Sequence, residues 1–309
     1  MRNDKGFALI LTLVITALIV ALAAELMHQV YVDTSISRNF RDGQQASLLA
    51  ESGIIGGKRL LEIALAGRSY SSISDVWAKP FKLDDETGAI EITVVEEDGK
   101  INLNGLVLTG GGVFEPNTRK MLRRLGTLID HPVPDNAWDN LAAWLDVKTP
   151  SVFSSADTLY YMTLKPPYKP RKGKLMTMGE LSLVKGFTQE MVADLRPLVT
   201  IYSAPTAAGY SVININTAPI KVLAALDPQI STSMVDRIDK ERRNGTFTSL
   251  GTLSTVPGLD TIANGMPGMI GVKGTTYRIT SVGRVKDSVR TVEAIVRVGS
   301  REYLSWQEF

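Results

Sequence analysis

The chain has 309 residues, 34 of them basic and 32 acidic, for a net charge of +2. That length allows a membrane segment plus one or two domains with cores of their own, and the near-neutral charge is no argument for a nucleic-acid partner. There is no cysteine, and His28 and His131 are the two histidines, so disulfides and thiolate chemistry are excluded and little material remains for a zinc centre or a serine–histidine triad.

The first element runs from Phe7 to Ala24 without a charge, is closed by Glu25 and is preceded by Arg2 and Lys5. As a helix rising about 1.5 Å per residue it covers the hydrocarbon thickness of a bilayer. The basic leader predicts a cytoplasmic N-terminus, with residue 25 onward across the membrane. Three readings compete for this segment. Ala21, Ala23 and Ala24 could imitate a signal-peptide cleavage site. The run could be a plain signal anchor. Or Lys5-Gly6-Phe7 could be a type IV pilin-like leader, residues 1–6, cut between Gly6 and Phe7 by a prepilin peptidase, with the Phe7 amine then open to N-methylation. A short charged leader ending in Lys-Gly, with Phe next and an apolar run behind it, resembles a prepilin peptidase substrate, and this reading is preferred. Pilins and pseudopilins usually carry Glu at mature position five, where this chain has Leu11. Leu11 forgoes the buried ion pair that such an acid makes with a neighbouring subunit.

Beyond Glu25 the helical period continues through Leu26, Met27, Val30, Ile36, Phe40, Ala46, Leu49, Ala50, Gly53, Ile54, Leu60, Leu61 and Leu65 with charges between. A helix over 7–66 is therefore predicted, membrane-spanning over 7–24, its later half laying one face on a sheet. Gly67 ends it. Residues 70–86 read as loop. Ala89–Val95 alternates in β-favouring residues, and Glu96-Glu97-Asp98-Gly99 reads as a solvated turn. Near the other end 276–282 and 290–298 alternate likewise, with 283–288 as a hairpin turn. Strands on both sides of a mostly helical middle predict one discontinuous sheet domain, 67–104 and 273–309, interrupted by an inserted helical domain over 105–272.

The middle repeats itself. Lys100-Ile-Asn-Leu-Asn104 recurs as Val212-Ile-Asn-Ile-Asn216, and Gly179-x-Leu181-x-x-Val184-x-Gly186 recurs as Gly251-x-Leu253-x-x-Val256-x-Gly258. Two patterns in the same order predict two related modules, at about 105–205 and 212–272. Val-x-Gly between short helical runs resembles a helix-hairpin-helix turn, with Gly186 and Gly258 at the bends. Such turns serve either DNA contact or protein contact. Lys185 flanks the first, no basic residue lies within 256–264 of the second, and Lys240–Arg243 stands well ahead of its glycine. No nucleic acid is expected.

Taken in order, the leader, Leu11, Gln45-Ala46 to Gly53, Gly99–Asn104, Trp144-Leu-Asp146, Asp157–Tyr161, Leu181–Gly186 and Asn214–Pro219 resemble the minor pseudopilin K family of type II secretion systems over nearly the whole chain. The resemblance implies an α+β fold, a pilin-like long N-terminal helix packed on a small antiparallel sheet, with a large inserted α-helical domain of two SAM-like, helix-hairpin-helix-like modules. It implies a non-enzymatic subunit of the inner membrane that initiates and caps the periplasmic pseudopilus. The implied partners are the other minor pseudopilins of the tip complex, the pseudopilus major subunit and the prepilin peptidase. A subunit with nothing ahead of it has no use for a position-five acid, which fits Leu11. Calcium in the inserted domain is a further family trait, with Asp146 and Asp157 as candidate ligands. Where relatives often read Trp-x-Asp-x-Asp, however, this chain has Lys148 at the second acid, and both aspartates could equally be turn or cap residues. The runner-up is a membrane-anchored, competence-type DNA-binding protein; an extracytoplasmic enzyme lacks a nucleophile–base pair.

Overall fold

The computed structural model describes residues 4–108, 110–148, 157–203, 210–245 and 247–309, with side chains from residue 6 and, in the fourth helix, from residue 159. Helix α1, Asp4–Leu65, is 62 residues long. It ends where the sequence breaks its period, with Gly67 in the left-handed region at φ +68°. Strands β1 (Phe81–Asp85) and β2 (Gly88–Glu96) form a hairpin. The chain then leaves the sheet. The inserted part holds β3 (Ile101–Asn102), α2 (Pro116–Leu128), α3 (Asp135–Leu145), α4 (Asp157–Thr163), α5 (Gln189–Leu195), β4 (Val199–Thr200), β5 (Ile213–Asn214), α6 (Ile220–Leu226), α7 (Thr232–Asn244), α8 (Leu259–Gly265) and β6 (Ile270–Gly271). It returns as β7 (Thr276–Val285), β8 (Ser288–Arg297) and β9 (Tyr303–Glu308).

The five long strands make one antiparallel sheet in the order β1-β2-β7-β8-β9, so the chain resumes against the strand from which it departed. The pairing of β2 with β7 across the insertion makes the discontinuous body a single unit. Two strands of this sheet are not foreseen by sequence patterning. β1 lies inside the stretch expected to be loop and is exposed at every position, so it carries no buried-face alternation to betray it. β9 is likewise exposed along nearly its whole length. The expected 283–288 turn shrinks to Lys286-Asp287, because Val285 still pairs with Ser288.

Only the far part of α1 lies on the sheet. Ala46, Ala50, Ile54, Leu61 and Leu65 are buried at spacings of four and seven residues, whereas Leu26, Met27, Val30, Ile36 and Phe40 are exposed. The expectation that the whole post-membrane stripe packs on its own sheet is therefore corrected: the body begins near Asp42, where Lys286 Nζ meets Asp42 Oδ2 at 2.7 Å. Small residues let helix and sheet approach. A Cβ at Gly53 would lie 2.0 Å from Ser281 Oγ, and one at Gly283 would lie 2.1 Å from the Ala46 carbonyl oxygen. Beneath them Trp77 meets Tyr277 edge-to-face with ring centroids 5.1 Å apart, in a core with Ile92, Val94, Ile279 and Val292.

The two inserted modules repeat the same architecture. Each opens on a two-residue parallel pairing, β3 with β4 and β5 with β6. Asn104 then clamps backbone by donating to Leu175 O and Ile201 O while accepting from Leu175 N; Asn216 does the same with Phe247 O, Val272 O and Phe247 N. A capped 3₁₀ turn follows in each, at Met178–Leu183 and Leu250–Thr255, and each turn leads to its glycine. β3 pairs with β4 and not with the sheet of the body. Ile101–Asn102 therefore belong to the inserted part, and the expected boundary at residue 105 moves back to include them.

Candidate functional site

Three places carry the functional expectations: the free half of α1, the hairpin turns and the Asp146 loop. In α1, Gly6 and Phe7 sit in the first turns and Phe7 is 70% exposed. Leu11 lies one turn on, half-exposed on the same side by its four-residue spacing. The most apolar stretch of this helix, with a mean hydropathy of 2.8, contains no buried residue. An apolar surface so complete and so uncovered needs lipid or other helices around it. Thr12 and Thr16 spend their hydroxyls on the helix itself, donating to Leu9 O and Thr12 O, which fits an apolar surrounding.

The hairpin glycines take the expected left-handed backbone, φ +96° at Gly186 and +86° at Gly258. Gly186 is nonetheless turned inward. A Cβ there would meet Ala137 Cβ at 2.9 Å, and Asn140 Nδ2 donates to Lys185 O, so the bend is docked on α3 and not offered to a phosphate. The Lys185 ammonium lies 4.7 Å from the Tyr160 ring centroid. The first hairpin works as an internal packing element, and the DNA-binding alternative loses its geometric support there.

Asp146 is fully buried and closes the glycine-rich turn after Val107. Its Oδ1 accepts from Gly112 N at 2.9 Å and from Lys148 N at 3.1 Å. Asp157 opens α4, and its side chain lies outside the described residues. Among the described residues no group of three His, Cys, Asp or Glu side chains gathers to hold a metal. Of the two candidate calcium ligands the described residues thus place Asp146, whose Oδ1 accepts two amides as a turn residue does, with Lys148 standing where relatives often carry a second acid.

A fourth place is hidden from sequence reasoning. Glu96, Glu97 and Asp98, expected as a solvated turn, are buried at the joint between body and insertion. Glu96 accepts from Ser71 Oγ at 2.7 Å, Asn214 Nδ2 at 2.7 Å, Thr217 Oγ1 at 2.9 Å and Tyr277 OH at 3.1 Å. Removal from water pushes it up to about 7; the Ser71 and Asn214 hydrogen bonds only partly oppose this, and the Asp98 charge adds to it. Glu97 behaves oppositely. Burial again disfavours its charge, but Lys100 Nζ at 2.7 Å and Arg278 Nε at 2.9 Å outweigh burial and hold its carboxyl below the usual range. Asp98 Oδ2 takes the amides of Thr275 and Thr276 at 2.6 and 2.9 Å, and its carbonyl takes Asn214 N at 2.8 Å. Three consecutive acids thus tie the exit of β2 to the entry of β7 and to the second module. Apart from Lys100, three residues beyond Glu97, their partners come from residues 71, 200, 214, 217 and 275–278, which no local spacing could have announced.

Two family models, both described as type II secretion system protein K, match residues 99–204 and 213–273. The type II secretion system protein K of Pseudomonas aeruginosa is 30% identical over 260 residues, covering 78% of this chain and 74% of that one. The protein of the same name from Aeromonas hydrophila is 25% identical over 322 residues, covering 95% and 93%. Among solved structures, a chain of the GspK-GspI-GspJ complex from the type 2 secretion system of enterotoxigenic Escherichia coli superposes with a TM-score of 0.68 at 19% identity. The match covers 88% of this chain and 99% of that one, a likeness of fold.

Proposed function

The chain belongs to the type II secretion system protein K family, and on that footing we propose that this minor pseudopilin nucleates and caps the tip of the pseudopilus without catalysing a reaction. The observation that carries the proposal is the contrast within α1. Its first half is apolar and uncovered, and its last part is locked onto a sheet that also bears an insertion running from β3 to β6. A helix of the first kind leaves a bilayer only by packing among like helices. A body with so large an insertion obstructs the place of a subunit stacked above it, so the filament ends here. Leu11 is consistent with that end position, since no subunit ahead offers an amine for an acid to meet.

The same reading places the chain in the inner membrane as a single-pass protein, N-terminus cytoplasmic and body periplasmic, until assembly draws it into the tip. In the similar complex from Escherichia coli, GspK is accompanied by GspI and GspJ. By analogy the partners of this chain are the other minor pseudopilins, with the major subunit below them.

Processing is the first test. Intact-mass measurement of the protein extracted from membranes is expected to give a chain beginning at Phe7, with or without one methyl group. A chain that keeps Met1, or one that begins near residue 25, would rule out assembly as a pseudopilin.

A further inference from the structure

The segment Lys165–Lys174 is the most basic stretch of the chain. Lys165, Lys169, Arg171, Lys172 and Lys174 give it +5 with no acid, in a protein whose total is +2, so the remaining residues carry −3. A run of cations is ordinarily a solvated, mobile face. This one is anchored. Tyr168 OH donates to Leu183 O at 2.7 Å, Gly173 N to Trp144 O at 3.0 Å and Leu175 N to Asn104 Oδ1 at 2.8 Å. Pro166, Pro167 and Pro170 fix the backbone between those anchors. Lys172 is drawn inward to Ala143 O, and Arg171 pairs with Glu180. Lys165, Lys169 and Lys174 remain exposed, and none of the three has an acidic partner among the described residues. Apolar surface adjoins them: Tyr160, 36% exposed, meets Tyr161 edge-to-face, Tyr161 lies tilted against Tyr168, and Leu183 beside Tyr168 is 46% exposed.

Cations carried on an anchored backbone around a small apolar patch have the makeup of a protein-binding surface, charge at the rim and an aromatic and an aliphatic anchor within it. A fluid anionic bilayer or a nucleic-acid backbone is served as well by a flexible basic tail and needs no anchored backbone beneath the charges. We propose that the Lys165–Lys174 face, with Tyr160 and Leu183, docks an acidic protein surface on the periplasmic side. This rests on the topology proposed above. The apolar anchors select the partner, and the charge of the lysines sets the rate of encounter.

The test uses the full-length chain in cells, with a photo-crosslinking amino acid in place of Tyr160. The expected result is a single protein adduct whose mapped contact peptide is rich in Asp and Glu. Lys165→Glu, Lys169→Glu and Lys174→Glu together should cut the adduct roughly tenfold, and Lys substitutions at the mapped acids should restore it. An adduct indifferent to the triple change, label transferred to phospholipid, or no adduct would each overturn the proposal. Should the triple variant melt below the parent chain, the Lys→Gln triple replaces it, with a smaller loss expected. Co-purification of the other minor pseudopilins is measured in parallel on the unaltered chain, so failure of the tip reading is distinguishable from failure of this surface.

Discussion

Gly283→Val is expected to lower the melting temperature of the detergent-solubilised chain by roughly 10 °C, the equivalent of about 3 kcal/mol or more. The reason lies at the closest approach of α1 to the sheet. A Cβ at Gly283 meets the Ala46 carbonyl oxygen at 2.1 Å and the Ala50 nitrogen at 2.8 Å, and both belong to helix backbone that cannot rotate away. Either β7 or α1 must retreat. Retreat opens the contact formed by Ala46, Ala50 and Gly53 and strips packing from Ile54 and Ile279 below it. Gly56, on the same helix, is the matched control. It faces solvent with nothing within 4 Å, so Gly56→Ala should be neutral or stabilise by up to about 1 kcal/mol through helix propensity alone. Differential scanning fluorimetry of both variants separates close packing from a general intolerance of side chains on α1. Equal melting temperatures for Gly283→Val and the parent would refute the packing account.

The second large effect concerns pH. Glu96 is expected to make the folded chain lose about 3 kcal/mol between pH 4 and pH 8, and Glu96→Gln should abolish that slope. The unfolded carboxyl titrates at its ordinary 4.5, whereas in the fold burial raises it to about 7. Below 4.5 both states hold the proton and the native hydrogen bonds bear no ionic penalty. Between 4.5 and 7 the unfolded chain releases its proton while the native chain keeps it, so stability falls as pH rises. Above 7 the full cost of a buried carboxylate remains, with no cation facing it among the described residues. Glu97 has the opposite sign. Its lowered pKa supplies stability above its ordinary range that is lost on acidification through the lowered value, so the two windows lie on either side of about 4.5. Gln at 96 can still accept from Asn214 and Thr217 at its oxygen. Its amide faces hydroxyls of Ser71 and Tyr277, and Tyr277 OH also lies 3.3 Å from Gly274 O, an alternative acceptor. Chemical denaturation at pH 5 and pH 8 measures the slope. A parent chain equally stable at both would contradict the raised Glu96.

Much of this architecture is legible in the sequence. The stripe of Ala46, Ala50, Ile54, Leu61 and Leu65, the alternation in β2, β7 and β8, and the paired Asn-x-Asn and Val-x-Gly patterns each report a local periodicity, and each appears where its period says. What is not legible is non-local or faceless. β1 and β9 expose nearly all their residues, so no alternation marks them. Glu96, Glu97 and Asp98 look like a solvated turn because a charge run usually is one. Their burial depends on hydroxyls, amides and the Arg278 cation supplied by distant segments. Leu26 to Phe40 carry a helical stripe that suits a core, yet the body begins only at Asp42; periodicity shows that a face wants covering, not which molecule covers it. Asp146 shows that one residue type serves several ends, since its Oδ1 accepts the Gly112 and Lys148 amides as a turn residue does.

That uncovered half of α1 is also where the proposed tip function is most directly tested. The full-length chain, extracted in mild detergent from cells that make the complete secretion apparatus, should purify in a complex with the other minor pseudopilins. It should be present at one copy per complex, and its mature N-terminus should be Phe7. A chain that purifies alone, or as a polymer of itself with no other pseudopilin bound, would contradict a capping subunit at the end of the pseudopilus.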